Sequence, residues 1–422
     1  MPLIKVLWFT STEVTQREFA GTGNWVITIL DCFRRIEGYQ LHVAFHDSRI
    51  PYMTESTLDG VRLYHIPPRS RRSRIRKVLD RLTGRDVDGY YAEEYYRVID
   101  LVKPDIIQIF GLESNFIRIL ERCNDRVVVH IQGLQSSLQY KYYPRFSKWE
   151  LIRSSPFSNL IMNGIPRIPP RSVKKHLKLE SCIYDRVKYY MGRTDWDRRC
   201  VKALSPQAKY FYCQELMRET FTSAKWKPHK KGIVRLYTTT SDGATKNVDM
   251  IYEVAAILDK HNPNFKYQWR VAGVCENSIT PKIMKFRGQV SPNIHLLGRL
   301  TADKIVQEMM DADLFVYPSA MENSSNAVQE AMLVGVPIVA THAGGLSTII
   351  KDYEYGILVQ EGDPYVLVGA IVESFENYDR MVGMAFSART AAKSRHDRSR
   401  VLSQLVEAYE TIVMDSNENT NS

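Results

Sequence analysis

The most informative stretch of this 422-residue chain is Tyr317-Pro-Ser-Ala-Met-Glu322-Asn-Ser-Ser-Asn326-Ala-Val-Gln-Glu330-Ala-Met-Leu-Val-Gly335-Val-Pro337. An apolar strand ends at Tyr317, and a polar loop leads from it into a helix that Asn326 can cap, with Gln329 in the reciprocal capping position. Gly335 and Pro337 end that helix. The stretch therefore predicts one strand–loop–helix unit of an α/β sheet.

The alternation of strand and helix extends from this unit in both directions. Short β-branched runs predict strands at Ile4–Phe9, Leu41–Phe45, Val61–Ile66, Asp105–Phe110 and Val127–Ile131, and then at Ile233–Tyr237, Gln268–Ala272, Ile294–Leu297, Val336–Ala340 and Gly356–Val359. Helical patterns lie between them at Asn24–Ile36, Asp88–Val102, Glu113–Arg122, Val248–Leu258, Ala302–Met310, Ala327–Val334 and Tyr365–Phe375. Such alternation is typical of parallel sheets with helices on both faces.

Two separate alternations predict two Rossmann-like α/β domains, and the length of the chain also exceeds one ordinary core. We place their boundary in a polar, proline-containing segment, which gives domains over residues 1–228 and 229–395. A C-terminal helix over 396–415 is expected to pack back on the first domain through an apolar stripe made of Val401, Leu402, Leu405, Val406, Tyr409 and Ile412. Because ligands bind at the carboxyl ends of parallel strands, chemistry is expected in the cleft between the domains.

Composition excludes several classes of protein. Hydrophobic residues make up 44% and charged residues 25% of the chain, as in ordinary globular proteins. The six cysteines form no CxxC pair, so neither a metal site nor a disulfide framework is expected.

The first apolar run is too short for a signal peptide, and no later run could span a membrane, which predicts a cytoplasmic protein. A formal net charge of +10 predicts an anionic partner, and no recognised motif indicates that it is a nucleic acid.

Much of the positive charge falls in residues 69–85. Eight basic residues there are interleaved with apolar ones at roughly helical spacing, namely Arg69, Arg71, Arg72, Arg74, Arg76, Lys77, Arg81 and Arg85 with Ile75, Val78, Leu79 and Leu82. Such a segment can lie on an anionic membrane surface. It can equally be a solvated basic loop or helix face. The membrane interpretation gains weight only if the substrate is attached to a lipid.

Two carboxylates in the opening stretch suit a ligand that carries hydroxyls and phosphates. Glu322 lies just before the helix and Glu330 about one turn inside it, where carboxylates can accept hydrogen bonds from sugar or ribose hydroxyls. The N–H groups of a helix start can receive phosphate oxygens. Alternatively, Glu330 only favours the helix dipole and Glu322 is a solvated loop acid. Two neighbouring features favour a ligand: the pair Gly344-Gly345 after a strand, and Lys246, which could neutralise a diphosphate.

With these residues in place, the chain resembles the family-4 retaining glycosyltransferases of the bacterial polysaccharide type, which have the GT-B fold of two facing Rossmann-like domains. The resemblance rests on the Glu322 to Glu330 spacing, on the Glu-Ala-Met and Gly-Val-Pro runs that follow, and on Lys246-Asn247, Gly298, Gly344-Gly345 and Gly356-Ile-Leu-Val. It departs from many members at Ser241, where they have an arginine, and at Thr348, where they have an acid.

By position, the resemblance implies that Glu322 contacts the donor sugar, that Glu330 holds ribose hydroxyls and that Lys246 binds the diphosphate. Catalytic roles are expected for Glu322, His130 and Lys246. The donor-binding residues are expected to be Gly21, Gly23, Asn247, Arg299, Asn323, Asn326 and Glu330.

Three features of the first half are expected to face the cleft. Gly21 and Gly23 lie between the first strand and helix, where a backbone turn can meet a phosphate. His130 ends a strand and is either a structural histidine or, as the resemblance favours, a contact of the transferred sugar or the acceptor. In Gly192–Asp197, the arginine is a candidate phosphate or acceptor contact, whereas the two aspartates equally favour a helix start.

The resemblance implies transfer of a sugar from UDP-sugar or GDP-sugar to a hydroxyl acceptor with retained configuration, without a metal or a cofactor. The expected acceptor is a lipid-linked saccharide in cell-surface polysaccharide assembly, at the inner face of the cytoplasmic membrane. The alternative is a non-catalytic subunit that binds a sugar nucleotide.

Overall fold

The computed structural model describes residues 3–15, 24–67, 89–141, 145–155, 177–228 and 232–421. Its first sheet has eight strands in the order β3-β4-β2-β1-β5-β6-β7-β8. All neighbouring pairs in it are parallel except β3 and β4. The strands are β1 (Ile4–Thr10), β2 (Tyr39–His46), β3 (Thr54–Leu58), β4 (Val61–Ile66), β5 (Ile106–Phe110), β6 (Val127–His130), β7 (Tyr189–Gly192) and β8 (Lys209–Tyr212).

The second sheet has six strands in the order β11-β10-β9-β12-β13-β14, and all its neighbouring pairs are parallel. These strands are β9 (Val234–Thr239), β10 (Tyr267–Ala272), β11 (Ile294–Gly298), β12 (Leu314–Tyr317), β13 (Ile338–Thr341) and β14 (Ile357–Val359). The chain therefore forms two α/β units with almost wholly parallel sheets, and this part of the sequence prediction is confirmed.

Helices connect the strands in both units. Before the linker they are α1 (Asn24–Phe33), α2 (Gly89–Val102), α3 (Gln135–Leu138), α4 (Lys148–Ser154), α5 (Asp195–Leu204) and α6 (Glu219–Ser223). After the linker they are α7 (Val248–His261), α8 (Ile279–Phe286), α9 (Ala302–Asp311), α10 (Asn326–Val334), α11 (Leu346–Ile349) and α12 (Pro364–Glu376), followed by α13 (Tyr378–Arg395) and α14 (Arg398–Asn421). Among the helices of the described ranges, none has the length and apolarity that crossing a membrane requires.

Both faces of each sheet are apolar because helices cover both. In β1, Val6 and Trp8 pack in one core cluster, whereas Leu7 and Phe9 pack in the cluster on the opposite face. Successive side chains of a strand point to opposite faces, so a strand covered on both faces is apolar throughout. This explains why the sequence shows continuous apolar runs rather than alternation.

The C-terminal helix α14 returns to the first unit, as predicted. Val401, Leu405, Tyr409 and Ile412 are fully buried in the same cluster as β1 and α1. The other two members of the predicted stripe, Leu402 and Val406, are only partly buried at its edge. The helix thus links the end of the chain to the first sheet.

Part of the first half packs on the second unit instead. Phe146 and Leu151, at the start of α4 and within it, are buried in the cluster formed by α7 and α8. Arg287 Nε donates to Glu150 Oε1 at 2.6 Å. By its packing, the segment around α4 therefore belongs to the second unit, although it lies far before the linker in sequence.

Two details differ from the helices and strands that the sequence predicts. The helical pattern at Glu113–Arg122 forms a 3-10 helix over Asn115–Glu121. The strands β3, β7 and β8 were not predicted. The strand β3 is largely polar and exposed, but the turn Asp59-Gly60 that joins it to β4 has positive φ at both residues and is a typical hairpin signal.

Candidate active site in the cleft

Lys246 and Glu322 form the centre of the site. Lys246 lies in the loop between β9 and α7, and Glu322 lies in the loop between β12 and α10. Because β9 and β12 are neighbours in the sheet, the loops after their carboxyl ends meet. Lys246 Nζ donates to Glu322 Oε1 at 2.6 Å. Burial alone would lower the pKa of Lys246, but attraction to the Glu322 carboxylate outweighs it and the pKa is raised, so the lysine is charged at neutral pH.

The Glu322 carboxylate is held by two further donors. Tyr317 Oη donates to Oε1 at 2.8 Å and Ser319 Oγ donates to the same oxygen at 2.7 Å. Glu322 is only 7% exposed. Burial, and then the nearby carboxylate, raise the pKa of Tyr317, so its hydroxyl remains a donor. The carboxylate is therefore fixed in one orientation at the strand end.

Glu330 has a cationic partner that the sequence did not reveal. Arg218 NH2 donates to Glu330 Oε1 at 2.9 Å, and the guanidinium lies 4.8 Å from the centre of the Phe221 ring. Burial raises the pKa of Glu330, and Arg218 opposes that rise. The second carboxylate of the predicted motif is thus buried and paired.

The start of α10 differs by one residue from the prediction. The N-cap is Ser325, whose hydroxyl accepts from Val328 N at 3.4 Å, and Asn326 is the first helical residue. With Ser325 as the N-cap, the reciprocal position is Val328, so Gln329 lies outside the capping box, and its side-chain amide donates to Glu215 Oε2 at 2.6 Å. Gly335 ends the helix with φ of 87°, as expected. Serine and asparagine are both favoured at N-caps, so the local pattern does not fix the start of this helix to one residue.

Glu215 joins the two units and was also missed. It is fully buried in the connection between β8 and α6. One carboxylate oxygen accepts from Arg193 of the first unit, and the other accepts from Gln329 of α10. The side-chain amide of Asn326 faces the same carboxylate, and in the orientation that directs its NH2 group to Glu215 the nitrogen lies 3.1 Å and 3.2 Å from the two oxygens. Asn326 is therefore positioned at a contact between the units.

Hydrogen bonds across the cleft come from the loop that contains Glu322 and from the start of α11. Asn323 Oδ1 accepts from Thr194 Oγ1 at 3.3 Å, and Asn323 Nδ2 donates to the Ile131 carbonyl at 3.3 Å. Thr348 Oγ1 accepts from Asp195 N at 3.0 Å. Thr348, where the sequence departs from the resemblance, is thus an inter-unit contact. The cleft is closed at these positions.

The Gly192–Asp197 motif is a helix start as well as a cleft edge. Thr194 and Asp197 form a complete capping box for α5. Arg193 is buried, and its NH2 donates to the Ile131 carbonyl at 3.2 Å. Its guanidinium also lies 5.5 Å from the centre of the Trp25 ring. The aspartates therefore follow the structural alternative, while the arginine is bound to Glu215, which in turn contacts the second unit.

Gly344 and Gly345 pack directly against the Glu322 loop. A Cβ at Gly344, where φ is 55°, would lie 2.0 Å from the Glu322 carbonyl oxygen. A Cβ at Gly345 would lie 2.0 Å from the Asn323 carbonyl oxygen. Gly345 N also donates to the Glu322 carbonyl at 2.9 Å. Glycine is required here for the close approach of two backbone segments, and the expected contact with a phosphate stays a prediction.

His130 ends β6 as predicted but is fully buried. The Trp25 ring lies edge-on at 5.1 Å and the Phe110 ring is stacked at 5.7 Å between centres. Burial first, and then the charge of Arg193, hold its pKa well below the usual range, so the imidazole is neutral. Its role toward a sugar stays a prediction.

The remaining predicted donor residues are distributed as follows. Asn247, the N-cap of α7, has φ of 47° and donates through Nδ2 to Glu361 Oε1 at 3.1 Å. Lys141 of the first unit donates to the other oxygen of Glu361 at 2.6 Å. Arg299 is exposed at the end of β11. Gly21, Gly23 and the basic segment 69–85 lie outside the described residues.

A metal-binding cluster is not formed by the described part of the chain, where no group of three or more histidine, cysteine, aspartate or glutamate side chains could hold an ion. What the site offers instead is one lysine, two buried carboxylates and the N-termini of α7 and α10 at the ends of parallel strands. This arrangement can bind a ligand that combines hydroxyl groups with phosphates.

Two facing α/β units with a C-terminal crossover helix and a site at their strand ends define the GT-B fold. Residues 234–377 match the family described as Glycosyl transferases group 1, so the second unit is a glycosyltransferase group 1 domain.

Among curated proteins, the chain is 26% identical over 172 residues to a D-inositol 3-phosphate glycosyltransferase of Corynebacterium urealyticum, covering 40% of each chain. It is 25% identical over 173 residues to the amylovoran biosynthesis glycosyltransferase AmsK of Erwinia amylovora, covering 40% of this chain and 42% of that one. The match thus spans less than half of the length of either relative.

Solved structures share the fold over nearly the whole chain. Sucrose-phosphate synthase from Thermosynechococcus elongatus superimposes with a TM-score of 0.70 at 13% identity, covering 97% of this chain and 99% of that one. Anabaena Alr3699/HepE in complex with UDP-glucose gives a TM-score of 0.60 at 14% identity, covering 97% and 100%.

Proposed function

We propose that the protein transfers a sugar from a nucleoside diphosphate sugar to a hydroxyl group of an acceptor. The observation that carries this proposal is the contact between Lys246 and Glu322 at 2.6 Å, at the carboxyl ends of two neighbouring strands and between two helix N-termini. A cation beside a fixed carboxylate matches a ligand in which a diphosphate is attached directly to a sugar.

Donor binding would rearrange this pair. Lys246 would turn from Glu322 to the diphosphate, and Glu322, still held by Tyr317 and Ser319, would accept hydrogen bonds from the hydroxyls of the sugar. Glu330, which pairs with Arg218, would hold the ribose hydroxyls. UDP-sugars and GDP-sugars are the proposed donors, and no metal or other cofactor is proposed. Anabaena HepE, which shares the fold, has been crystallised with UDP-glucose.

The proposed reaction retains the configuration at the anomeric carbon. The bond from that carbon to the diphosphate oxygen breaks, and the acceptor oxygen forms its new bond on the same face of the sugar. The acceptor proton passes to an oxygen of the leaving diphosphate, so no side chain has to act as a base. Lys246 and the helix N-termini would stabilise the charge that develops on the leaving group.

For the acceptor we propose a saccharide attached to a lipid, used in cell-surface polysaccharide assembly at the inner face of the cytoplasmic membrane. Support comes from the net charge of +10 and from similarity to AmsK, which is named for amylovoran biosynthesis. Co-sedimentation with anionic liposomes at low salt tests the membrane part of this proposal. Equal recovery with neutral and anionic liposomes would rule it out.

Donor identity and mechanism are tested together. A thermal-shift screen against UDP-, GDP- and ADP-sugars should raise the melting temperature with one base, because a ligand that binds only the native state stabilises it. With that donor, NMR of the product should show the anomeric configuration of the donor. An inverted product would exclude the proposed mechanism, and full transfer activity in Glu322→Gln would remove Glu322 from it.

A second candidate is a non-catalytic subunit that binds a sugar nucleotide. The observation that favours it is Ser241, which stands where many members of the family carry an arginine. A diphosphate site with one cation fewer stabilises the leaving group less. Tight donor binding without transfer to any acceptor or to water would support this candidate.

A further inference from the structure

A chain of buried hydrogen bonds leads from the C-terminal helix to His130. Trp8 Nε1 of β1 donates to Tyr409 Oη of α14 at 2.7 Å. Tyr409 Oη donates to Gln108 Oε1 of β5, and Gln108 Nε2 lies 3.3 Å from His130 Nδ1 of β6. All four side chains are fully buried. Tyr409 and Gln108 are 301 positions apart in sequence, so this hydrogen bond exists only in the folded protein.

Which atom donates in each of these hydrogen bonds follows from Trp8, the first residue of the series. An indole N–H can only donate, so Tyr409 Oη accepts from Trp8 and its own proton points to Gln108. That proton requires the amide oxygen of Gln108 on the Tyr409 side, which places the amide NH2 group toward His130. An NH2 group only donates, so His130 Nδ1 must accept. A neutral imidazole with an accepting Nδ1 carries its proton on Nε2.

His130 has no competing reason to adopt the other form. Its pKa is held well below the usual range by burial and then by Arg193, so the doubly protonated ring is disfavoured. Phe110 and Trp25 fix the ring plane. Nε2 makes no hydrogen bond in the described part of the chain, although the Cys213 main chain lies close enough to favour protonation of the ring. Nε2 is therefore the ring nitrogen that carries the proton, and it is shut off from solvent.

We propose that Tyr409 and Gln108 are positioning residues that hold His130 as the Nε2-protonated tautomer, so that the imidazole meets the donor sugar as a hydrogen-bond donor. The proposal rests on the proposed transferase function for the role of His130, but not for its tautomer. The crossover helix α14 would then do more than pack on the first unit, because its Tyr409 fixes which ring nitrogen of His130 carries the proton.

The tautomer is measured without any substrate. In protein labelled with ¹⁵N at histidine, long-range ¹H–¹⁵N spectra distinguish a protonated from an unprotonated ring nitrogen, and His130→Asn assigns the signals. We expect Nδ1 unprotonated and Nε2 protonated. A ring protonated at Nδ1 in the unmodified protein would overturn the proposal.

Gln108→Glu is the sharpest variant. A carboxylate there can only accept, so it would accept hydrogen bonds both from Tyr409 Oη and from a protonated Nδ1 of His130. We expect the proton at Nδ1 to appear in the spectrum of a protein that remains folded. An unchanged Nε2 tautomer in folded Gln108→Glu would show that this contact does not direct the ring.

Tyr409→Phe and Tyr189→Phe form a matched pair for activity. Each substitution removes one tyrosine hydroxyl that links α14 to the first sheet. Tyr189 Oη donates to Asp415 of α14 at 3.0 Å, whereas Tyr409 Oη belongs to the hydrogen-bond series that ends at His130. With the donor from the screen, we expect kcat to fall about tenfold in Tyr409→Phe, with KM little changed, and to stay within about twofold in Tyr189→Phe. Equal losses in both variants would mean that α14 acts only by packing.

These experiments distinguish a failure of the proposed transferase function from a failure of the positioning role of Tyr409 and Gln108. If no sugar nucleotide supports transfer while the spectra show the expected tautomers, the proposed function fails and the positioning role stands as a structural property. If transfer is observed but the tautomer does not respond to Gln108→Glu, the positioning role fails alone.

Discussion

Arg193 of the first unit donates a hydrogen bond to Glu215, and both charged side chains are buried where the two units meet. Burial lowers the pKa of Arg193, and nearby acids oppose that effect. The burial of the Arg193 guanidinium would be unfavourable without the Glu215 carboxylate, and the ion pair compensates for it. Glu215 also accepts from Gln329 of α10, so it connects the ion pair to the helix that carries Glu330.

Glu215→Ala should lower the free energy of unfolding by about 3 to 5 kcal/mol, because it leaves the Arg193 guanidinium buried without its carboxylate. Denaturant titration measures the change. Asp125→Ala is the control, since it removes an exposed ion pair with Lys188 and should cost no more than about 1 kcal/mol. A loss in Glu215→Ala no larger than in the control would contradict a stabilising role of the buried pair.

Lys246→Met should weaken donor binding about 10- to 100-fold, because one charge-assisted hydrogen bond to the diphosphate is lost. Isothermal titration with the donor identified by the screen gives the Kd. Lys351→Met provides the control, since Lys351 is an exposed lysine paired with Glu354 and lies outside the site. If both variants bind the donor as the unmodified protein does, Lys246 is not the diphosphate ligand.

The sequence predicted the sheets well because both of their faces are covered, which leaves apolar runs that are easy to recognise. It also predicted the loops that hold Lys246 and Glu322, since strand ends and helix starts can be placed from such runs. The partners of these loops were missed. Glu215 and Arg218 lie in a connection without periodicity, and their neighbours Gln329 and Glu330 come from a helix more than a hundred residues later. Side-chain pairing across units depends on how the units pack, which local patterns do not encode.

Gly345→Ala should lower the free energy of unfolding by about 1 to 3 kcal/mol, because the new methyl group would lie 2.0 Å from the Asn323 carbonyl oxygen and 2.7 Å from Thr194 Oγ1. Relief requires the Glu322 loop or the first unit to move. Gly369→Ala is the matched control in α12, where no atom lies within 4 Å of the added Cβ. It should stabilise by about 0.5 to 1 kcal/mol. Similar shifts of melting temperature in both variants would argue against the close contact.

Glu113 should make stability depend on pH in an unusual direction. Burial raises its pKa to about 7 and outweighs the opposing effect of neighbouring N–H groups and of Arg193. Its Oε2 is shut off from solvent and has no hydrogen-bond partner among the described residues. Between pH 4.5 and 7, the folded state therefore binds more protons at this carboxyl than the unfolded state does. Stability contributed by Glu113 is complete below the unfolded pKa and is lost as the pH rises through the folded pKa.

The contribution amounts to about 3 kcal/mol at most, at 1.36 kcal/mol for each pKa unit. Glu113→Gln keeps the shape of the side chain and removes its titration, so its unfolding free energy should exceed that of the unmodified protein at pH 8 and match it more closely at pH 4.5. Denaturant titrations of both proteins across this range measure the difference. Parallel pH profiles of the two proteins would mean that Glu113 ionises as readily in the folded chain as in the unfolded one, and that the loop after β5 is open to water.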